Sequence, residues 1–192
     1  MKPEGSLAKS ILVAVALYAA LILVFTVAGM GLAPAEAQVG ATRPASAIPL
    51  HLTELVGFGF LLGGLSAVGY GRKGLPMVLA APFLVALLDL DHVPAYIGLA
   101  QPIRPAHSVV FILVALVCTA IVLRRLDFEL ILVSSFTGHL GIDQGLFAPF
   151  SPFSFDYVQL DPYRIPLLAC SVVSAILVGY LWRREGRDRT SK

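Results

Sequence analysis

Four histidines, His51, His92, His107 and His139, and a few aspartates are the residues of this chain whose types and spacing could do chemistry. The stretch Leu88-Asp89-Leu90-Asp91-His92 ends a long apolar run with two carboxylates and an imidazole. Ionisable groups at a membrane segment are costly to bury, so they suggest a site. Asp89 and His92 are spaced i, i+3 and share a helical face, with Asp91 turned aside unless the helix ends there. His139 and Asp143 are spaced i, i+4, so a helix presents them together. Imidazole with carboxylate suits zinc, with manganese or iron as alternatives. The expected ligands are His51, Asp89, Asp91, His92, His107, His139 and Asp143. That surplus permits two ions, or one ion with carboxylates that orient the histidines.

A site of this kind lowers the pKa of a bound water towards neutrality. Catalytic roles then fall to Asp91 and to His51 as a base or further ligand. Arg104 is expected to hold a substrate anion, because guanidinium pairs bidentately with phosphate or carboxylate oxygens. Metal, hydroxide and arginine together favour hydrolysis of a phosphoester or another lipid-like anion. Ser108 reads as a helix cap rather than a nucleophile. Glu54, one turn after His51, ranks below the other ligands. Asp156 and Asp161 read as turn-forming residues.

The elements that must position these groups are membrane helices. The chain has 192 residues, 57% hydrophobic and 14% charged, with a mean hydropathy of +0.83. Soluble domains carry roughly 25% charged residues. Several apolar runs near the length of a bilayer span therefore predict an all-α polytopic membrane bundle of about six transmembrane helices. Cys118 and Cys170 lie inside apolar runs, with no CxxC spacing. No basic, aromatic-interleaved surface points to a nucleic acid; the expected partners are membrane lipid and a lipid or phosphoester substrate.

Residues 1–33 read as an N-terminal transmembrane helix around the apolar run from Ser10 to Leu32. A signal peptide competes, but the run exceeds a typical signal core. Residues 34–49 form an Ala- and Pro-rich extracytoplasmic linker. Residues 50–182 form a five-helix membrane core. Its second run (His51 to Tyr70) is rich in glycine, which permits close helix approach. A basic turn, Gly71-Arg72-Lys73-Gly74, leads to the third run, from Leu75 to about Leu90, where Pro82 is expected to kink the helix. The later runs span His107 to Leu123, Phe128 to about Phe147, and Ile165 to Trp182, with a loop from Ala148 to Arg164. Residues 183–192 form a basic tail.

With six spans, one side of the membrane holds all of the 14 Lys and Arg residues except Arg43, Arg104 and Arg164. The positive-inside rule puts that side, with both termini, in the cytoplasm of a cell (inner) membrane. All four histidines then stand at the extracytoplasmic ends of their helices, together with Asp89, Asp91, Arg104 and Asp143.

These residues resemble the YdjM-like family of inner-membrane metal-dependent hydrolases. That family's pattern is an early Thr-His, then Pro-Asp-x-Asp-His, His-Arg-Gly-x-Thr-His-Ser and a late His-x-x-x-Asp. Here Leu50-His51, Leu88 to His92, Ile103-Arg104-Pro105-Ala106-His107-Ser108 and His139 to Asp143 follow in the same order, with Pro149 and Pro152 beyond. Leu88 stands where the pattern has Pro, Ile103 where it has His, and Pro105-Ala106 where it has the Gly-x-Thr run. The resemblance covers His51 to Pro152 and implies a helical membrane fold with hydrolase activity. In the order of its His and Asp ligands the chain is also distantly similar to zinc-dependent phospholipase C. The rival expectation is a non-enzymatic membrane protein, a transporter or a partner-binding subunit with a structural polar cluster. A transporter favours sites near the midplane and repeated halves, and neither is visible here.

Overall fold

The computed structural model describes residues 5–35, 38–39, 48–69, 74–99, 101–102, 104–143 and 146–190, and these form an all-α bundle. The helices are α1 (Gly5–Leu32), α2 (Ile48–Ala67), α3 (Leu75–Leu87), α5 (Val109–Leu123), α6 (Leu126–Ile142) and α7 (Arg164–Thr190). Between α3 and α5, a 3₁₀ turn (Leu88–His92) leads into a single-turn α4 (Val93–Tyr96). Two short antiparallel ribbons tie the loops together. In one, β1 (Gln38–Val39) pairs with β2 (Gln101–Pro102); in the other, β3 (Leu146–Phe147) pairs with β4 (Val158–Gln159). Most of the 34–49 linker, three residues of the 71–74 basic turn, and Ile103 lie outside the described residues.

Four helical segments are long and apolar enough to cross a membrane: Leu7–Leu32, Ile48–Ala67, Leu75–Tyr96 and Asp161–Arg184. The other two helices, α5 with 15 residues and α6 with 17, are shorter. At 1.5 Å per residue they rise roughly 22–26 Å, less than a hydrocarbon core of about 30 Å. Their missing turns are taken up by the site. The run expected to be helical from His107 starts as helix only at Val109, and the run expected to reach Phe147 stops at Ile142. The last helix departs the other way, continuing through the expected tail to Thr190.

Packing explains the glycine pattern. Gly59 and Gly63 of α2 lie against the backbone of Pro82 and Val78 in α3, where a Cβ would collide. Any larger residue would force the two helices apart. Pro82 thus sits inside α3 at the point of closest approach to α2. Along α6 and α7, Ser134 Oγ donates to the Ser171 carbonyl at 2.8 Å and Ser171 Oγ donates to the Ser134 carbonyl at 2.7 Å. Interhelical hydrogen bonds of this kind hold helices together where apolar burial gives little drive.

Helix α6 is the central element, packed by α2, α3, α5 and α7 and buried over most of its length. That enclosure lets it carry Ser134, Ser135 and His139 inside the bundle. On α1 the buried residues Leu7, Ala14, Tyr18, Ile22 and Phe25 follow a near-heptad spacing. Tyr18 and Phe25 each pack on Phe111 of α5 with ring centroids 5.3 Å apart. The outward face of α1 is equally apolar, with Leu12 and Val27 each 69% exposed, which fits a lipid-facing surface.

Candidate metal centre

Four pieces of chain converge at one end of the bundle. Helix α2 brings His51 and the 3₁₀ turn brings Asp89, Asp91 and His92. The 104–108 turn brings Arg104 and His107, and α6 brings His139 with Asp143 as its C-terminal cap. The helix does end near Asp91, and the tighter 3₁₀ winding turns that carboxylate inwards, where it is fully buried.

The 104–108 turn is buried throughout, which is rare for a loop because its backbone polar groups need partners. It finds them. The His107 N–H donates to the Arg104 carbonyl at 3.0 Å, the Ala106 N–H to Asp91 Oδ2 at 2.9 Å and the Val109 N–H to the Pro149 carbonyl at 2.9 Å. Ser108 caps α5, accepting from the Phe111 N–H at 3.0 Å, as its position predicts. Arg104 takes a left-handed backbone with φ of 54°. That conformation costs a non-glycine residue roughly 1–3 kcal/mol and tends to occur where function constrains the chain.

Tautomers follow from the fixed partners. His139 Nδ1 faces the Val85 carbonyl oxygen at 2.7 Å. A carbonyl only accepts, so Nδ1 carries a proton, and Nε2 presents a lone pair when the ring is neutral and an N–H when it is charged. His107 Nδ1 lies 3.0 Å from Asp91 Oδ2, which likewise accepts, so His107 Nε2 also presents a lone pair. Burial, with His139 and Arg104 close by, pushes His107 well below the ordinary imidazole range and keeps it neutral. The two Nε2 atoms face each other at 2.9 Å. Two lone pairs at that distance repel unless a cation, a proton or a metal ion, lies between them.

Carboxylates close in on the same point. Asp89 Oδ1 is 3.4 Å and Asp143 Oδ2 3.8 Å from His139 Nε2, and Asp143 Oδ2 is 3.7 Å from His107 Nε2. His51 Nε2 approaches Asp89 Oδ2 at 3.4 Å and Asp143 Oδ1 at 4.0 Å. Three sets each bring their ligand atoms within 4.8 Å of one another: His51, His139 and Asp143; Asp89, His107 and His139; and Asp91, His92 and His107. Two nitrogens bound tetrahedrally to one zinc-sized ion stand roughly 3.3 Å apart, so these spacings suit metal coordination. Charge agrees. Among the described residues, Asp89, Asp91 and Asp143 gather around the histidines with the Arg104 guanidinium beside them, a donor set whose carboxylates favour a cation. These residues can hold a metal ion.

All seven expected ligands belong to the cluster, but they are not equivalent. Asp91 is fully buried, with Oδ2 occupied by His107 and Ala106. A carboxylate held this way against His107 Nδ1 can orient that ring. Its Oδ1 lies 3.3 Å from His92 Nε2, and neither buried atom has a hydrogen bond among the described residues. The His92 ring stacks on His107 with centroids 5.2 Å apart. Arg104 pairs with Asp143: Nη2 donates to Oδ1 at 3.0 Å, and Nη1 lies 2.5 Å from Oδ2. Glu54 is more than half exposed and 4.0 Å from His51 Nδ1, at the rim as its rank implied. Asp156 accepts from Ser154 Oγ at 2.7 Å within its loop, and Asp161 opens a 3₁₀ turn.

Three contributors carry no signal in the sequence. The Val85 carbonyl and the Ala106 N–H are backbone groups, which any residue type supplies. Tyr18 of α1 is buried beside Asp91, and its hydroxyl makes no hydrogen bond among the described residues. Nothing in an all-apolar run distinguishes this tyrosine from an ordinary core residue. Comparison with family models, with curated proteins and with solved structures finds no match.

Proposed function

We propose that this chain is a membrane-embedded, metal-dependent hydrolase acting on a phosphoester or a similar lipid-like anion at the extracytoplasmic face of a cell membrane. The observation that carries the reading is the pair of imidazole Nε2 atoms of His107 and His139, opposed at 2.9 Å inside a ring of carboxylates. His51, Asp89, His107, His139 and Asp143 would hold the ion, with zinc the best match to the donor set and manganese or iron the alternatives. The ion, when bound, supplies Lewis acidity and a water of lowered pKa.

The chain's own residues divide the remaining work. Asp91 fixes the His107 ring, and the Val85 carbonyl fixes that of His139. Arg104 holds both oxygens of Asp143 and offsets one of the three carboxylates. His92, which is outside that ligand set and borders a cavity open to the outside, would take or give a proton as a bond to substrate breaks. The resemblance to YdjM-like hydrolases in the order of His and Asp residues points the same way. So does the excess of Lys and Arg at the opposite ends of the helices, which by the positive-inside rule puts the cluster outside the cytoplasm.

The rival reading, a partner-binding subunit with a structural polar cluster, expects Arg104 to pair with Asp89 or Asp91; the hydrogen bond from Arg104 Nη2 goes to Asp143 Oδ1. Protein reconstituted in vesicles and loaded with zinc, manganese or iron should release head group or phosphate from phospholipid or alkyl phosphoester substrates. His51→Ala should lower that rate at least tenfold. No turnover with any of the three ions and either substrate class would remove the enzymatic reading.

A further inference from the structure

The candidate metal centre has one half-enclosed opening to the outside among the described residues, and its chemistry is uneven. A cavity of about 210 Å³ lies between the start of α2 and the segment from α3 to α4. Its floor is polar, made of His51, Asp89 and His92, three members of the cluster. Its walls are apolar, from Leu52, Ala86, Leu90 and Val93, with Tyr96 at the side. A cavity that takes a whole small ligand measures roughly 300–1,000 Å³, so this one accommodates part of a larger molecule.

The surroundings of the mouth decide which part. Leu50, Ile97 and Leu99, close in sequence to the lining residues Leu52 and Tyr96, are exposed, Ile97 at 70%. In water such a group would be an unprotected apolar patch. Both walls belong to segments apolar and long enough to cross a membrane, Ile48–Ala67 and Leu75–Tyr96. A cavity lined by two such segments borders the lipid when they span the membrane.

We infer that this cavity is the subsite for the apolar tail of a single amphiphilic substrate. The substrate enters laterally from the outer leaflet between α2 and the 88–96 segment, its scissile polar bond resting on His51, Asp89 and His92. The inference rests on the hydrolase reading and narrows its substrate class to membrane amphiphiles, excluding soluble phosphoesters. Each methylene buried there strengthens binding about fourfold until the chain outgrows the cavity.

The test uses a single-chain alkyl phosphate carrying a diazirine close to its phosphate, added to protein in phosphatidylcholine vesicles, irradiated and mapped by mass spectrometry. Adducts are expected on Leu52, Leu90, Val93 and Tyr96, displaced by excess unlabelled alkyl phosphate and not by inorganic phosphate. Leu52→Trp, and separately Val93→Trp at the rim, should cut that labelling at least tenfold while the protein keeps its bound metal, which also reports that the variants fold. Adducts scattered over the outer faces of α1 and α7 with no enrichment at the mouth would overturn the inference. So would undiminished labelling in both tryptophan variants. Metal content in the same samples separates the two readings. Metal-free protein that still labels in the cavity keeps the subsite and sinks the hydrolase, whereas metal-loaded protein without cavity labelling sinks the subsite alone.

Discussion

At the start of α6, Asp127 accepts from Arg125 Nε at 3.1 Å and Nη2 at 2.5 Å, and from Trp182 Nε1 at 2.7 Å. The guanidinium lies over the rings of Phe128 and Trp182, 4.7 and 5.4 Å from their centroids. At the other end of the same helix, His139 and Asp143 enter a cluster where imidazole nitrogens and carboxylate oxygens face one another. Both ends bury charge. At the first, one anion meets one cation and an N–H donor, and the group is complete as it stands, pinning the α5–α6 turn to α7. At the second, among the described residues, three carboxylates and four imidazoles converge with ligand atoms within 4.8 Å of one another in three overlapping sets. A buried polar cluster that satisfies itself is a structural clamp, and one that converges its acceptors is built around something else.

Substitutions should separate the two ends. The largest effect is expected for His139→Ala, which removes one of the opposed nitrogens. Bound metal, measured by elemental analysis of purified protein, should fall from near one ion per chain to about a tenth or less. Arg104→Ala leaves Asp143 buried without its guanidinium and should cost about 3–5 kcal/mol in metal-free protein. The loss should shrink when metal is added, because the ion compensates the same carboxylate. Thermal unfolding followed by circular dichroism with and without metal reads the difference, and an equal loss in both states would contradict the assignment of Asp143 to the ion.

Asp91→Asn keeps the shape of the side chain but weakens its hold on His107 Nδ1. Metal affinity by chelator competition should drop roughly 10–100-fold, the usual cost of losing an orienting carboxylate. At the opposite end, Asp127→Asn should cost about 1–3 kcal/mol of stability and leave metal affinity unchanged, since distant independent sites do not couple. A change in metal affinity comparable to that of Asp91→Asn would erase the distinction between the two ends.

Much of the cluster was legible in the sequence because helix geometry is regular. The i, i+4 spacing of His139 and Asp143 predicts a shared face, and their side chains do come within 3.8 Å. The i, i+3 pair Asp89 and His92 meets at 3.8 Å. Charge counting places all four histidines at one end without any contact being known, and the structure gathers them there. What the sequence hid depends on backbone and on tertiary partners. A charged residue's spacing does not reveal whether it will face substrate or another side chain, so Arg104 could not be assigned to Asp143. The left-handed turn at Arg104 is not a glycine, and the buried 104–108 loop looks on paper like the start of a helix. The shortness of α5 and α6 was invisible for the same reason: their apolar runs continue into segments that fold as site and ribbon instead of helix.

The central claim is that a metal ion, and not a shared proton, sits between His107 Nε2 and His139 Nε2. Elemental analysis combined with X-ray absorption spectroscopy at the edge of the bound metal tests it most directly. The expected result is close to one ion per chain, with scattering from at least two imidazole ligands in the wild type and none retained in His139→Ala. Wild-type protein that takes up no zinc, manganese or iron would contradict the account and leave a proton to hold the two rings together.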